Sequence, residues 1–289
     1  MNKKLENSIE DELKYLKQAK ELVDKDIEGK KELLDKDINQ IDSDIKHVGQ
    51  TLKSSEKKFF LECEKHWVFW ALIMIGGIYG AYTYTLRGGV FCNAQTANVV
   101  LLSMAIGTRD WAQALYLCVP ISSYFLGTIL SEIFAKKIKK FQILRWDTIL
   151  IGIDIFVILG LGFLPKSAPD QICQVTLNFL CAMQFNTFRQ NEGMPMATTF
   201  VTNHIRQTAS NLVKAIRDKD SAAAYRFRMH GAMLLFFLLG GTYSAVLCSF
   251  VGLYAIWGAI PILLFMFIKL AIADLTYEKD LLYKVPRGH

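Results

Sequence analysis

The sequence predicts an all-α protein: a polytopic membrane helix bundle of six spans, built as a 3+3 inverted repeat and preceded by an N-terminal cytoplasmic helical arm. Three observations lead to this prediction. Residues 66–275 contain six apolar stretches, each close to the ~20 residues that a helix needs to cross a bilayer. Basic residues cluster in alternate loops between these stretches. The two halves of the region also carry related patterns of Gly, Thr and Asn.

The chain consists of two chemically different parts. Residues 1–58 hold 13 Lys against 14 Asp or Glu and contain no Trp, Cys or Pro. The remainder holds 20 Lys or Arg against 13 acids, so the formal charge of +6 arises in the membrane part, where basic residues set topology. Nucleic-acid binding would need a basic surface with interleaved aromatic residues on a soluble domain. The sequence shows none, and we expect no nucleic-acid partner.

The sequence lacks the common signatures of enzymes and metal sites. The six Cys residues lie mostly inside apolar segments, without a CxxC pair or Cys/His ligand spacing. They are typical of small buried residues in a reduced setting. There is no HExxH, GxSxG, P-loop or dinucleotide fingerprint. We therefore expect no catalytic residue, no metal and no cofactor.

The arm, residues 1–65, is predicted to be coiled-coil-like. Its apolar residues follow heptad spacing in two runs that differ in phase by one residue, with Gly29 at the slip. The runs are Ile9, Leu13, Leu16, Val23 and Ile27, then Leu34, Ile38, Ile41, Ile45, Val48 and Leu52. Two structures fit this pattern: one long helix, or a helical hairpin that turns at 28–30. Either leaves an apolar stripe within residues 9–52 that needs a partner, which is a second copy of the chain or, alternatively, the membrane domain.

The six spans are expected at residues 67–86, 111–135, 147–165, 171–189, 228–249 and 251–273. Pro120 and Pro261 are expected to kink their helices. If the N-terminus is cytoplasmic, the basic loops near 136–145 and 189–228 are both cytoplasmic, as the positive-inside rule requires. The tail 276–289 is then cytoplasmic too; its last five residues resemble a protease-site or tag remnant.

Residues 66–165 and 171–274 are predicted to be two copies of one unit. The corresponding segments are 79–84 with 183–188, 96–98 with 202–204, and 126–128 with 240–242. Each copy is a span, a short helix with a polar start, and two further spans. Because three spans is an odd number, the copies insert with opposite orientations, as in many transporters and some channels, whose site lies at the repeat interface.

The two short helices, predicted at 93–106 and 197–216, are the first candidates for a functional site. Broken backbone and polar side chains beside a span are costly unless they face protein or water. Helix N-termini that face a central cavity favour a polar or anionic solute. The side chains expected to line this path are Asn93, Gln95, Thr96, Asn98, Thr202, Asn203 and His204. The alternative for these side chains is helix capping and hydrogen bonding between helices.

Asp154 is the candidate for ion coupling. It is predicted to lie about 10 Å inside its span, where a carboxylate costs roughly 2.5–3.5 kcal/mol to insert. Such a group pairs with a cation, takes up a proton or faces water. One reading is proton coupling; the other is a structural ion pair with one of three supporting charges, Arg87, Arg206 or Lys269.

A resemblance to a known family rests on residues 88–102. Gly88-Gly89-Val90-Phe91, then Asn93-Ala94-Gln95-Thr96-Ala97-Asn98 and Leu101-Leu102, resembles the signature of the YoaK family (domain of unknown function 1275), and residues 200–202 resemble its second signature. The resemblance covers about residues 66–275. It implies a multi-span protein of the bacterial inner membrane and no established activity. Two positions depart from the pattern, which would have an acid near Gly80 and Thr-Gly-Asn at 96–98.

These observations predict an inner-membrane protein with both termini in the cytoplasm. The function expected first is a transporter or channel for a small polar or anionic solute, held in a homo-oligomer by residues 9–52. One alternative is a non-transporting scaffold or sensor that binds a partner through the arm. Another is half of a larger transporter that works as a dimer.

Overall fold

The computed structural model describes residues 59–138, 143–284 and 286, together with six positions nearer the N-terminus. The chain divides into two compact units, Met1–Phe59 and Phe60–His289. In the first unit the described residues are helical and exposed: Lys20, Leu22, Glu28, Ile38, Gln40 and Ile41. The two of these on the predicted apolar stripe, Ile38 and Ile41, are 53% and 57% exposed. The remainder of the predicted coiled coil, including the choice between one helix and a hairpin, lies outside the described residues.

The regular secondary structure in the described part of the second unit is helical apart from one small hairpin. Its eight α-helices are α1 (His66–Leu86), α2 (Gln95–Gly107), α3 (Trp111–Ile138), α4 (Trp146–Gly162), α5 (Asp170–Thr187), α6 (Thr202–Arg217), α7 (Ser221–Val251) and α8 (Ile260–Leu275). The strands β1 (Gln190–Asn191) and β2 (Met194–Pro195) pair antiparallel. Three segments are 3₁₀ helix: Glu62–Glu64, Gly252–Ala259 and Lys279–Leu281.

Three helical stretches are long and apolar enough to cross a membrane: His66–Leu86, Trp111–Ala135 and Ser221–Leu275. The helix Gln95–Gly107 is apolar but shorter. This composition indicates a membrane protein, although three such stretches are fewer than the six spans predicted. α4 has only 17 residues, and α5 buries several polar side chains.

The last apolar stretch folds back on itself. Trp67, at the start of α1, packs edge-on against Phe265 in α8, whereas Tyr82, near the end of α1, donates to the carbonyl oxygen of Leu253 ahead of α8. α8 therefore runs antiparallel to α1. α7 runs parallel to α1, because Gly240 meets Met74 and Ser244 meets Ile78. Ser221–Leu275 therefore consists of two antiparallel helices joined by the 3₁₀ segment. Pro261 lies in the first turn of α8, where its missing N–H removes no hydrogen bond of the helix.

A close glycine contact joins α1 and α7. A Cβ added at Gly240 would lie 2.0 Å from the carbonyl oxygen of Met74. One helical turn further along both helices, Ser244 Oγ donates to the carbonyl oxygen of Ile78 over 3.0 Å. The two helices thus run in the same direction, and the absence of a side chain at Gly240 permits their close approach.

The same contact joins α3 and α5. A Cβ added at Gly127 would lie 2.6 Å from the carbonyl oxygen of Phe179. One turn later, Ser131 Oγ donates to the carbonyl oxygen of Met183 over 3.4 Å. Both helix pairs are therefore parallel. In each pair a glycine on one helix meets a carbonyl group of the other, and one turn later a serine donates to the next carbonyl oxygen.

α1 is the most enclosed of the apolar helices. Two thirds of its apolar window is buried, against about one third for Trp111–Ala135 and less for Ser221–Leu275. Side chains along its whole length are fully buried, among them Leu72, Ile75, Ile78, Tyr79 and Tyr82. A polar group that contacts the middle of α1 is therefore enclosed by protein and away from lipid.

Candidate functional site

The chain turns back into the bundle after α1. Gly88 and Gly89 have φ values of 77° and 68°, a left-handed conformation that glycine adopts without strain. The turn is tightly packed, since a Cβ at Gly88 would lie 2.7 Å from Gln174 Nε2. Arg87, just before it, is 1% exposed; it donates to the carbonyl oxygens of residues 164 and 165 and lies 3.6 Å from Asp170.

The returning segment reaches the middle of α1. Asn93 Nδ2 donates to the carbonyl oxygen of Gly76 over 2.8 Å. A Cβ at Gly80 would lie 3.0 Å from Asn93 Oδ1. The missing side chain at Gly80 thus leaves room for Asn93, and the family resemblance implies an acid near this position.

A second segment, between β2 and α6, arrives at the same place. A Cβ at Gly76 would lie 3.1 Å from the carbonyl oxygen of Thr198 and 3.3 Å from the Cα of Thr199. Gln184 Nε2, on α5, donates to the carbonyl oxygens of Leu72 and Thr198. Both breaks in the helical bundle therefore converge on Gly76.

The start of α2 faces α5. Gln95 Nε2 donates to Asn178 Oδ1, and Asn98 Nδ2 donates to the carbonyl oxygen of Phe91 over 3.0 Å. Asn98 is fully buried, and its Oδ1 has no hydrogen-bond partner among the residues that the structure describes. Thr96 is exposed and lies away from these contacts. No side chain caps the N-terminus of this helix.

The start of α6 faces α7. His204 is fully buried; its Nδ1 lies 2.9 Å from His230 Nδ1, and its Nε2 lies 2.8 Å from the carbonyl oxygen of Ala197. Thr202 is exposed, and Asn203 accepts a hydrogen bond from Arg206. This helix also begins without a side-chain cap. Of the predicted lining residues, the structure thus buries Asn93, Asn98 and His204.

Asp154 is fully buried on α4. Neither carboxylate oxygen has a hydrogen-bond partner within residues 59–138 and 143–284. Tyr79 and Cys181 are close enough to interact with it electrostatically, and the hydroxyl of Tyr79 likewise has no partner in that part of the chain. None of the three expected cations forms an ion pair with it: Arg87 is beside Asp170, Arg206 contacts Asn203, and Lys269 is exposed.

Sequence reasoning missed the polar groups that complete this region: Tyr79, Gln184, Thr198 and Asn178. They belong to apolar helices or to a segment predicted as helix, so only the fold brings them together. Cys92 and Cys181 also meet here, with their sulfur atoms 4.0 Å apart. We define the central polar cluster as these six residues together with Asn93, Asn98 and Asp154.

A second buried polar cluster at one end of the bundle was also missed. Arg145 Nε donates to Asp274 Oδ1 over 3.0 Å, and Arg145 Nη2 lies 3.3 Å from Glu278 Oε2. Burial raises the pKa of Glu278. Burial also acts to raise the pKa of Glu62, but hydrogen bonds from Lys65, Tyr277 and Trp67 outweigh it, and the pKa lies below its usual value. These contacts join the end of α8 and the residues after it to the segments before α1 and α4.

The described residues contain no group of three or more His, Cys, Asp or Glu side chains placed to hold a metal ion. Residues 68–269 match the model of the family described as "Protein of unknown function (DUF1275)". The chain belongs to this family. No curated protein and no solved structure matches the chain. Family membership in DUF1275 brings no activity with it, so any function has to be argued from the central polar cluster.

Proposed function

We propose that this DUF1275 protein is a transporter or channel for a small polar or anionic solute, with the central polar cluster as its site and no enzymatic activity. The observation that carries the proposal is the convergence of both chain breaks on Gly76 in the middle of α1. Broken backbone at membrane depth is tolerated where it is enclosed by protein or lines a pathway. Buried polar groups without a hydrogen-bond partner at the same place favour a pathway, since a purely structural core satisfies its polar atoms.

The helix contacts support an inverted repeat. Exchanging α1 with α5 and α3 with α7 converts the Gly240–Met74 contact into the Gly127–Phe179 contact, and the Ser244 hydrogen bond into that of Ser131. The register of each exchange differs by one residue from the predicted repeat, which pairs Gly127 with Gly241 and Met74 with Asn178. α1 and α5 run antiparallel, because Leu72 meets Gln184 while Phe69 meets Phe188. The axis that relates the halves is therefore perpendicular to the helices, as in transporters with repeats of opposite orientation.

The same directions support six crossings. α1 is parallel to α7, and α3 is parallel to α5. α4 and α8 are antiparallel, since Thr148 at the start of α4 donates to Asp274 at the end of α8. An alternating path through α1, α3, α4, α5, α7 and α8 satisfies each relation. In this proposal the basic residues near 136–145 and 189–228 lie on the cytoplasmic side, and so do both termini.

The chemistry of the site favours a polar solute moved together with a proton. The uncapped N-termini of α2 and α6 present amide groups and a positive dipole end. Asp154, with no cation beside it, is the group able to take up and release a proton, and Tyr79 is within its electrostatic reach. In this reading, protonation of Asp154 removes the negative charge that would otherwise repel an anion.

A flux assay in liposomes tests this proposal. The full chain is reconstituted and challenged with a panel of small anions and neutral polar solutes, with an internal pH dye as a second readout. Asp154→Asn should abolish proton movement, because the amide does not titrate. Asp280→Asn, which alters an exposed acid outside the bundle, is the matched control and should behave as the unmodified chain. Absence of flux for every solute would contradict the proposal.

The alternative of a scaffold or sensor is favoured by one observation, the exposed helical Ile38 and Ile41 of the first unit. These positions of the predicted stripe are open to a partner. Under the transporter proposal the partner is a second copy of the chain, so removal of residues 9–52 lowers the oligomeric state and leaves flux per chain in place. Under the scaffold reading the same deletion abolishes capture of a different protein, and flux is never seen.

A further inference from the structure

The two short helices differ in charge. α2 contains no charged residue, whereas α6 contains Arg206, Lys214 and Arg217. The buried side of α6 faces α7, where His204 meets His230 and Asn211 accepts a hydrogen bond from Arg226 over 3.0 Å. Because these buried residues occupy one side of α6, the rest of the helix surface faces away from α7.

One exposed face of α6 is apolar. Ile205, Leu212, Val213 and Ile216 follow helical spacing along a single stripe. Their exposed fractions are 56%, 39%, 54% and 71% in the single chain. A stripe of large aliphatic side chains this exposed is costly in water, so it faces lipid or protein.

The other exposed face is basic. Arg206, Lys214 and Arg217 share it with Ser210, about a third of a turn away from the apolar stripe. Residues 202–228 contain six Lys or Arg against two acids. Arg217 is engaged by Asp218, whereas Arg206 and Lys214 form no ion pair with an acid among the described residues. The face is therefore positive in net charge.

We propose that α6, packed along the first turns of α7, sits at one membrane surface and binds anionic lipid headgroups. Its apolar stripe enters the acyl-chain region, and Arg206, Lys214 and Arg217 contact lipid phosphates. Two features select a bilayer over a second copy of the chain. The apolar and basic faces adjoin along the whole helix, which is the pattern of interfacial helices, and the apolar helix α7 follows directly after the turn 218–220, which holds α6 at a membrane. This inference does not depend on whether the protein transports anything.

Hydrogen exchange measured by mass spectrometry tests the proposal. The full chain is placed, one copy per disc, in lipid nanodiscs of phosphatidylcholine alone or with phosphatidylglycerol. Amides of residues 202–217 should exchange more slowly with phosphatidylglycerol, because each basic residue near an anionic surface contributes about fivefold in binding. The double variant Lys214→Gln, Arg217→Gln should lose most of this difference. The charge-matched control Lys166→Gln, Lys279→Gln changes exposed residues elsewhere and should keep it.

Three results would overturn the proposal. Equal exchange rates of residues 202–217 in both lipid compositions would show that α6 does not bind the anionic headgroups. Protection by inorganic phosphate in phosphatidylcholine discs would assign the basic face to a free anion. Protection that appears only with two copies per disc, whatever the lipid, would assign the stripe to a second chain. A lipid-dependent difference that the double variant removes and the control retains supports it.

Discussion

His204 illustrates how one buried side chain ties a broken segment to a helix. In the neutral ring, Nε2 donates to the carbonyl oxygen of Ala197, so Nδ1 carries no proton and accepts from His230 Nδ1. A second proton on His204 would turn Nδ1 from an acceptor into a donor, and His230 would have to change its tautomer to accept from it. Burial lowers the pKa of His204, although the Ala197 carbonyl opposes that effect. The neutral form is therefore the one that the fold stabilises.

We predict that acid weakens this attachment. Because the folded-state pKa of His204 lies below the ordinary value of about 6.5, the unfolded chain binds the proton more readily, and stability falls as pH drops below about 6.5. The melting temperature in detergent should be lower at acidic pH than at neutral pH. His204→Gln should reduce that difference, and His47→Gln, in the first unit, should leave it unchanged. An identical pH dependence in all three chains would contradict the assignment.

Some residues of the site could be predicted from the sequence and others could not. Asp154, Asn93 and Asn98 stand out because polar groups are rare in apolar stretches, and each is buried in the fold. Tyr79 and Gln184 carry no such signal, since Tyr is common in spans and their importance comes only from what lies opposite. The Arg145–Asp274 pair joins residues 129 positions apart in sequence, a distance over which no local pattern extends.

At the scale of elements, the second short helix was predicted too early. It was expected from residue 197 but begins at Thr202, after the hairpin of β1 and β2. Residues 197–201 are held in a non-helical conformation by tertiary contacts: Gln184 reaches the carbonyl oxygen of Thr198, and Phe200 packs on Phe185. Propensity cannot anticipate this, because the partners come from α5. The first short helix, at Gln95–Gly107 instead of 93–106, was predicted closely since Asn93 and Gln95 mark its start.

The glycine contacts between helices lead to a prediction at this scale. Gly127→Ala and Gly240→Ala each place a methyl group inside 3 Å of a backbone carbonyl oxygen. The helices must separate, at a cost of about 1–3 kcal/mol, and the melting temperature in detergent should fall for both variants. Gly160→Ala is the control, because a Cβ there meets nothing within 4 Å, and it should be neutral or slightly stabilising. A similar fall at Gly160 would mean that packing at Gly127 and Gly240 is not the cause.

At the scale of the molecule, the number of crossings decides between two topologies. Length and composition identify three stretches, whereas the helix directions fit six crossings. The two differ in the path from the turn after α4 to the tail after α8. If α5, α7 and α8 all cross, Lys166 and Lys279 lie on opposite sides of the membrane. If α5 does not cross, the antiparallel pair within Ser221–Leu275 returns the chain to its starting side, and the two lysines lie on the same side.

We predict opposite sides. In a chain with Cys118→Ser, which removes the exposed native thiol, the Lys166→Cys variant should react with a membrane-impermeant maleimide in intact cells with a permeabilised outer membrane. Lys279→Cys should react only after the inner membrane is opened. Asp218→Cys, separated from Lys279 by α7 and α8 alone, should behave like Lys279→Cys. Labelling of both lysine positions in intact cells, or of neither until the inner membrane is opened, would remove α5 from the set of spans, and with it the inverted repeat that supports the transport proposal.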